Sequence, residues 1–483
     1  MKLSSKIALG AGALAAVALA AMPAWAQTAA AAASPIPAPT VNKGDTAWML
    51  VSSAIVLMMS VPGLALFYGG LVRTKNMLSV LTQVFMIVSI VAVLWVVYGY
   101  SMAFTEGNAF VGGFGKMFLK GVDANTTVAT FSNGIYIPEY AYICFQMTFA
   151  CITPALIIGA FAERVKFSSL MIFMILWVTL VYFPVAHMVW YWDGPDALGT
   201  AKLAGDAAYA TANGHAGYLF QMGAIDFAGG TVVHINAGIA GLVGCLIIGK
   251  RTGYGKDVMA PHSLTMTMIG ASLLWVGWFG FNAGSNLEAN GVAGVAFINT
   301  FVATAAAAVS WVVVEWIAKG KPSLLGAVTG AVAGLVAITP PSGFAGPMGS
   351  VVLGLLVSPL CFFFCTFVKN KVGYDDSLDV FGVHCIGGIF GALATGILVD
   401  PALGGQGIAD YGATPGTAVF GFPGYAAQVL IQAKAVGVTL IWSGGISAIL
   451  FFILDKTIGM RVSVDEEREG LDIASHGERA YHY

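Results

Sequence analysis

The chain has 483 residues, of which 58% are hydrophobic and only 10% are charged. Soluble globular proteins carry about 25% charged residues, so this composition excludes a water-soluble domain and indicates a polytopic membrane protein. The formal net charge of −2 gives no reason to expect a nucleic-acid partner.

The N-terminus has the three parts of a secretory signal peptide. Two lysines supply its positive charge, residues 7–21 are apolar, and Ala24 to Ala26 form a small-residue cleavage pattern. We therefore predict cleavage after Ala26; an uncleaved N-terminal helix is the alternative. Residues 27–42, which are rich in Ala and Pro, are then expected to form a disordered tail on the periplasmic side.

Hydropathy divides the remaining chain into eleven apolar segments that could cross a bilayer. Alternate connections together with the C-terminal tail hold fifteen of the 22 Lys and Arg residues, and segments enriched in these residues face the cytoplasm. We therefore predict an all-α transmembrane domain over 43–457, with the mature N-terminus periplasmic, and a cytoplasmic C-terminal tail over 458–483. The predicted spans are 46–71, 77–104, 139–162, 168–191, 225–249, 262–281, 291–318, 323–339, 347–368, 379–399 and 426–455.

Two patterns recur in the two halves of this domain. The pattern Gly-x-x-x-Phe-x-x-Gly begins at Gly63 in span 1 and at Gly277 in span 6. His234 in span 5 and His384 in span 10 are each followed by glycine at +4 and +7. Because a unit of five spans used twice must insert in opposite senses, these matches predict an inverted repeat of spans 1–5 and 6–10. Span 11 lies outside the repeat as a long peripheral helix.

Histidines inside apolar helices need a partner or a polar cavity, because an unsatisfied polar group in hydrocarbon is costly. A single such histidine is usually a packed core residue, whereas two in matching frames indicate a polar path through the protein. His234 lies in a stretch that begins at Asp226, and His384 in one that begins at Asp379. Neither has ligands at metal-site spacing, and the chain has no signature of an enzyme or a cofactor site.

Aromatic residues gather at the predicted outer ends of the spans. Phe149 lies in span 3, Trp190 near the outer end of span 4, and Phe281 and Ser285 at the outer end of span 6. Together these residues could offer π faces and one hydroxyl to a small cation. The alternative for Trp190 is membership of the aromatic belt found at membrane–water interfaces.

Four segments resemble signature segments of the ammonium transporter (Amt/Rh) family, in its bacterial Amt branch. They are FYGGLVR at 67–73, the segment 226–251, GWFGFNAGS at 277–285 and EREGLDIASHGERAY at 467–481. The resemblance implies the ammonium transporter fold, an eleven-span homotrimer in the bacterial inner membrane with one pore in each subunit. It also implies that the C-terminal tail packs under neighbouring subunits, and that a PII-type nitrogen regulatory protein binds at the cytoplasmic face.

The same resemblance implies roles for the residues at the mouth. Phe149, Trp190 and Ser285 match the outer site that recruits ammonium. Asp226 matches an aspartate beneath that site, where it acts as a structural and electrostatic brace more than as a ligand. From the residues alone, two roles remain open for Asp226: a helix N-cap or structural brace, and a direct role in substrate binding.

Further residues match the pore of the family. Phe149 and Phe281 resemble the stacked pair that closes the pore, and His234 and His384 the twin histidines that line it. A bare cation in a low-dielectric interior has an idealised cost of tens of kcal/mol. We therefore expect ammonium to lose a proton at the mouth and to cross as ammonia, with a coupled proton path along the histidines.

Two other functions remain open from the sequence. The protein could be an ammonium sensor that signals through a PII-type partner and conducts little. It could also be an Rh-type channel for neutral gas, although Trp190 and Ser285 would then have no cation to recruit.

Overall fold

The computed structural model describes residues 36–414 and 417–482. The predicted signal peptide, 1–26, lies outside the described residues, as does most of the tail predicted over 27–42. Within that tail, strand β1 (Thr40–Val41) pairs in parallel with Ile135 and Tyr136. This part of the tail is therefore ordered, and the prediction of disorder does not hold for it.

The membrane domain is helical, as predicted, and long apolar helices dominate it. Backbone polar groups find no water in hydrocarbon, so an apolar chain satisfies them within helices. In chain order the helices are α1 Lys43–Leu71, α2 Thr74–Phe104, α3 Glu139–Phe161, α4 Phe167–Trp190, α5 Pro195–Ala204, α6 Asp206–Gly214, α7 Tyr218–Gln221, α8 Gly230–Ile248, α9 Leu264–Gly284, α10 Gly291–Lys319, α11 Leu324–Ile338, α12 Pro347–Val372, α13 Phe381–Leu398, α14 Tyr425–Thr457, α15 Val464–Glu469 and α16 Leu471–His476.

Ten helices in the described part of the chain are long and apolar enough to cross a membrane, one fewer than the eleven predicted. They are α1 to α4, α8 to α10 and α12 to α14. The difference is α11, which has 15 residues. At 1.5 Å per residue it is about 22 Å long, less than the hydrocarbon thickness of about 30 Å. The predicted span, 323–339, matches the bounds of this helix to within one residue at each end, so the difference concerns its length alone.

Several helices begin with a local cap that the sequence provides. The side chains of Asn42, Ser263, Asn290 and Ser323 accept hydrogen bonds from the first N–H groups of α1, α9, α10 and α11, respectively. Such caps satisfy donors that have no partner within the helix. The boundaries of these four helices are therefore fixed by their own sequence.

The two ends of the bundle differ in structure. One end, which we call the mouth end, carries α5, α6, α7 and two small sheets. One sheet has the order β1-β3-β2, with β2 at Thr127–Ala129 and β3 at Ile135–Pro138; the other is the antiparallel pair β4 (Ile408–Thr414) and β5 (Thr417–Gly421). The opposite end, which we call the tail end, carries α15 and α16.

The helices that carry the two histidines meet through matching surfaces. Gly238 of α8 lies so close to Cys385 that a Cβ atom would come within 2.4 Å of its backbone nitrogen. Gly388 of α13 lies against His234, where a Cβ atom would be 3.1 Å from the histidine Cβ. Each glycine follows its own histidine by four residues and makes room for the other helix. This close approach explains why both sequences need glycine at that position.

The tail end is held by a buried cluster of ion pairs. The Arg164 side chain is fully buried, with its Nη1 3.7 Å from an Asp375 carboxylate oxygen. Arg251 donates to Asp375 at 2.8 Å, and Arg73 to Glu163 at 2.7 Å. These residues come from four different connections between helices, so the cluster fixes how the helix ends are arranged. Buried charges are tolerated when they are paired and hydrogen-bonded in this way.

The cluster keeps its two acids charged. Burial alone raises the pKa of Glu163, but its hydrogen bond to Arg73 and the charge of Arg251 together bring that pKa below its ordinary value. Burial also raises the pKa of Asp375, and the Arg251 hydrogen bonds and the charge of Arg164 more than offset it, so this pKa is lowered too.

The C-terminal tail docks on α2 by a reciprocal exchange of caps. The Asp472 carboxylate accepts hydrogen bonds from the backbone N–H groups of Leu78 and Ser79, at the start of α2. In return, Asn76 Oδ1 accepts the backbone N–H of Leu471, the first residue of α16, at 2.9 Å. Each helix start is thus capped by a side chain from the other segment.

A second set of contacts holds the tail against the loop after α8. Glu467 is buried and accepts hydrogen bonds from the backbone N–H and the hydroxyl of Thr252, at 2.6 and 3.0 Å. Arg461 pairs with the same carboxylate at 2.7 Å. The tail therefore packs against loops of its own chain.

Replacing Asp472 tests the exchange of caps. We expect Asp472→Ala to lower the free energy of unfolding by about 1 kcal/mol, because two helix N–H groups lose their acceptor. Thermal unfolding in detergent measures this as a lower midpoint. Asp465→Ala, at an exposed position of the same tail, is the matched control and should leave the midpoint unchanged. Equal midpoints for the wild type and Asp472→Ala would contradict the cap.

The ion-pair cluster predicts how stability depends on pH. Glu163 and Asp375 have folded-state pKa values below their unfolded values. Their stabilising contribution is therefore present above about pH 4 and is lost as the pH falls through the folded-state pKa. We expect Asp375→Asn to unfold at a lower temperature at pH 7 and to lose less stability on acidification from pH 5 to pH 3. Asp257→Asn, exposed at the same end, should keep the wild-type profile; the same pH slope in both variants would count against the cluster.

Candidate functional site

A cavity of about 1010 Å³ opens at the mouth end. Its wall includes all four residues predicted to form or support a recruiting site: Phe149, Trp190, Asp226 and Ser285. They come from α3, α4, the start of α8 and the end of α9, so the fold brings together residues that are up to 136 positions apart in sequence. All four side chains therefore belong to the wall of one cavity.

One of two stacked phenyl rings, that of Phe149, lines this cavity. The rings of Phe149 and Phe281 are 4.1 Å apart between centroids and inclined by 18°, and both side chains are buried. Trp190 meets Phe149 edge-on at 5.7 Å. The Ser285 hydroxyl donates to the carbonyl oxygen of Phe281 at 2.8 Å, so its remaining capacity is to accept hydrogen bonds.

The Asp226 carboxylate is used as a helix cap. It accepts the backbone N–H groups of Gly229, Gly230 and Thr231 at 2.9, 2.7 and 2.8 Å, and also the Thr231 hydroxyl. The carbonyl oxygen of Asp226 accepts the indole N–H of Trp190 at 2.9 Å. Asp226 therefore fixes both the start of α8 and the orientation of Trp190, and its oxygens are occupied by these donors.

The two histidines meet below the phenyl pair. His234 Nδ1 and His384 Nδ1 are 3.3 Å apart, and the rings are 5.4 Å apart between centroids at 20°. Each histidine lies in a wide π-helical turn at the start of its helix, Gly230–Ile235 in α8 and Phe381–Cys385 in α13. Since a neutral imidazole has one donor and one acceptor, one Nδ1 donates to the other.

A small lumen lies beside the histidine pair. Its volume is about 10 Å³, room for one water-sized molecule. Within the described chain, His234 Nε2 has no hydrogen-bond partner and is buried. Apart from the two histidines, all the lining side chains are apolar or aromatic: Met59, Leu64, Phe67, Ile152, Leu156, Val233, Leu274, Trp278 and Val332.

Comparison with known proteins identifies this arrangement. The sequence model of the Ammonium Transporter Family matches residues 47–481. The ammonium transporter of Aquifex aeolicus is 45% identical over 448 residues, which is 91% of this chain and 94% of that protein. That of Bacillus subtilis is 42% identical, over 91% and 99% of the two chains. The chain belongs to the ammonium transporter family.

Solved structures show the same fold. The crystal structure of Saccharomyces cerevisiae Mep2 superposes with a TM-score of 0.72 at 30% identity, over 88% of this chain and 91% of that one. A structure described as a sensor Amt protein gives a TM-score of 0.76 at 25% identity, over 90% and 98% of the two chains. This ammonium transporter family member is thus a multi-pass membrane protein and not an enzyme.

The repeated frame also includes an aspartate that sequence analysis did not single out. Asp376 is the counterpart of Asp226. The Asp376 carboxylate accepts the backbone N–H groups four and five residues after it in the chain, just as Asp226 does. Each aspartate also precedes its histidine, His384 or His234, by eight residues. Asp379 instead pairs with a lysine of α12 at 2.7 Å. The equal spacing of eight residues was the signal that could have found Asp376.

The environment of Asp376 differs from that of a surface acid. Burial raises its pKa to about 6, and the nearby charge of Lys369 limits the rise. The carboxyl group lies at the tail end, where it caps the start of α13. The two histidine helices therefore begin at opposite ends of the bundle with the same type of cap.

Trp278 also lines the lumen, and sequence analysis did not single it out. Its ring stacks on His234 at 5.4 Å and 19°. Its position three residues before Phe281, on the same face of α9, was the available signal.

The role of Asp226 can be tested by two substitutions. We expect Asp226→Ala to lower the free energy of unfolding by about 2–3 kcal/mol, because several buried donors lose a charged acceptor. Asp226→Asn should have a smaller effect, because an amide oxygen still accepts. Thermal unfolding in detergent measures both, with Asp257→Ala as an exposed control that should match the wild type. If Asp226→Ala unfolded like the wild type, the brace assignment would be wrong.

Proposed function

We propose that this protein transports ammonium by recruiting the cation at the mouth end, removing one proton and conducting ammonia through the lumen. The observation that carries this proposal is the lumen of about 10 Å³, which is largely apolar, has room for one small molecule, and is lined by His234, whose buried Nε2 has no partner among the described residues. Such a space suits a neutral molecule that can both donate and accept hydrogen bonds.

The chemistry of the mouth suits a cation that carries N–H groups. Phe149 and Trp190 offer aromatic faces, and a cation–π contact contributes about 2 kcal/mol when desolvated. The Ser285 oxygen accepts, since its own proton is donated to a backbone carbonyl. Trp190 cannot compete for that oxygen, because its N–H is held by the carbonyl of Asp226. The site therefore presents acceptors and π faces, with its own polar hydrogens turned away.

The phenyl pair sets the limit on what passes. With Phe149 and Phe281 stacked at 4.1 Å, a molecule must displace a ring to leave the mouth. A bare ion would also lose its hydration, at an idealised cost of tens of kcal/mol, against which one cation–π contact is small. Ammonium avoids that cost by giving up a proton. Potassium has a similar size but has no proton to give, so the same barrier excludes it.

The histidine pair then serves both products of deprotonation. The two Nδ1 atoms share one hydrogen at 3.3 Å, which leaves His234 Nε2 for the lumen. This nitrogen can donate to ammonia in one tautomer and accept in the other. The shared hydrogen also connects the two rings in a line along which a proton can move.

We extend the proposal to topology. The N-terminal strand β1 joins the sheet at the mouth end, and the C-terminal tail docks at the tail end, so the chain crosses an odd number of times. Ten long helices leave α11 as the eleventh span. The first turn of α11 is capped by Ser323, which follows shortly after the end of α10. Gly343 and Phe344, just beyond the other end of α11, line the mouth cavity. The excess of Lys and Arg residues in the connections at the tail end supports a cytoplasmic location for that end.

Assembly and partners belong to the same proposal. We propose a cleaved signal peptide over 1–26, an inverted repeat of the first ten spans, and a homotrimer in the bacterial inner membrane. The tail end, with its basic loops and docked C-terminal tail, is the face for a PII-type regulatory protein. A sensor that signals through this partner is the second candidate, because one of the similar structures is described as a sensor Amt protein.

Transport in proteoliposomes tests the function. After an ammonium jump we expect a transient current with the wild type and little luminal alkalinisation, because the ammonia that arrives recombines with the proton that follows it. The His234→Ala, His384→Ala double variant should abolish the current, because the proton loses its path. A wild type that alkalinises the lumen without current would support a neutral gas channel. A folded wild type silent in both readouts would refute transport, and binding of a PII-type protein without flux would favour the sensor.

A further inference from the structure

One side of the histidine pair has a partner that the transport scheme does not yet use. Trp278 lies face to face with His234, at 5.4 Å between ring centroids and 19° between planes. His384 meets His234 edge to edge through the two Nδ1 atoms, at the same centroid distance and 20°. We propose that Trp278 positions His234 and stabilises its protonated form while a proton passes along the histidine pair.

The indole ring is itself fixed. Trp278 Nε1 donates to Thr339 Oγ1 at 2.8 Å, and the Thr339 hydroxyl donates to the carbonyl oxygen of Leu335, also at 2.8 Å. Phe281 packs against the indole at 5.6 Å and 55°. Trp278 is 1% exposed, so this hydrogen bond is the way in which its N–H is satisfied. The ring therefore cannot turn away from His234 without leaving a buried donor unpaired.

Charge stabilisation is needed at this point because the lumen offers little else. Among its described lining residues there is no acidic side chain. Histidines that bind a metal or act as a base usually donate their other ring N–H to a carboxylate or a carbonyl oxygen. The described ring contacts of His234 are instead the other histidine and aromatic rings. The face of an indole ring is the best aromatic partner for a cation, and its effect is greatest where water is excluded.

The proton step balances on these atoms. An N–H bond of ammonium breaks, ammonia forms, and the proton bonds to His234 Nε2. His234 then gives its Nδ1 proton to His384 Nδ1, and His384 releases a proton from Nε2 towards the tail end. For the interval between these transfers His234 is an imidazolium lying against the indole. This inference rests on the proposed transport function and adds a positioning residue to it.

The chain provides matched controls for both residues. Trp275 lies three residues earlier on α9 but packs against Phe301 of α10, at 5.6 Å. Trp275→Leu therefore removes an indole from the same helix without touching the lumen. Thr339→Ser keeps the hydroxyl that accepts the Trp278 N–H, whereas Thr339→Val has the same shape as threonine and removes it.

The experiment compares two signals in proteoliposomes loaded with a pH dye. Current after an ammonium jump reports charge transfer, and luminal alkalinisation reports entry of ammonia without its proton. We expect Trp278→Leu to lower the current by about tenfold or more, equivalent to about 1.4 kcal/mol, and to raise luminal alkalinisation, because ammonia still enters but its proton no longer follows. Thr339→Val should lower the current in the same direction, and Thr339→Ser and Trp275→Leu should match the wild type.

The other outcomes overturn the inference. An unchanged current in Trp278→Leu would show that the indole does not support the charge. A loss of current with no rise in alkalinisation, in a variant that unfolds like the wild type, would make Trp278 an ordinary part of the pore wall. An equal effect of Trp275→Leu would have the same meaning. Alkalinisation without current in the wild type would remove the proton path but leave ammonia conduction standing, whereas silence in both signals would refute the transport function itself.

Discussion

Two imidazole rings that touch nitrogen to nitrogen inside an apolar bundle are the constraint on which this structure depends. At 3.3 Å the His234 and His384 Nδ1 atoms satisfy each other, which is how two polar rings can be buried without a carboxylate between them. The contact tolerates little movement. The helices that carry it must therefore be fixed in position, and much of the remaining structure does this.

The two helices that carry the histidines are held in position from both ends of the bundle. Asp226 and Asp376 cap the wide turns that hold the histidines, with the same offsets of four and five residues. Between the caps, Gly238 and Gly388 let the two helices approach closely. Beyond the second cap, the Arg164 and Arg251 pairs with Asp375 anchor the preceding connection. Because Asp375 and Asp376 are adjacent, the ion-pair cluster and the histidine frame are parts of one mechanical unit.

Sequence reasoning reached the family, the long spans and the membership of the mouth, since these rest on apolar length and on residue types in recognisable segments. It did not single out Asp376, because only hydrogen-bond geometry shows that this acid caps the turn that holds His384. Trp278 was missed for a related reason: in a chain with 11 tryptophans, a ring that stacks on a histidine looks like any other apolar residue. The bounds of α11 followed from hydropathy to within one residue at each end. The paired strand β1 depends on a partner almost a hundred residues away, which composition cannot reveal.

The cap exchanged between α2 and the tail has a consequence for how the molecule is made. Asp472 and Ser79 are separated by 393 residues, so the start of α2 is synthesised and inserted long before its capping carboxylate exists. Through most of translation the first backbone N–H groups of α2 therefore depend on water at the membrane surface for a hydrogen-bond partner. The exchange closes only when the last dozen residues have left the ribosome. A chain that stops before Asp472 therefore lacks this cap at the start of α2. The contact forms only in a chain whose synthesis has reached the C-terminal tail.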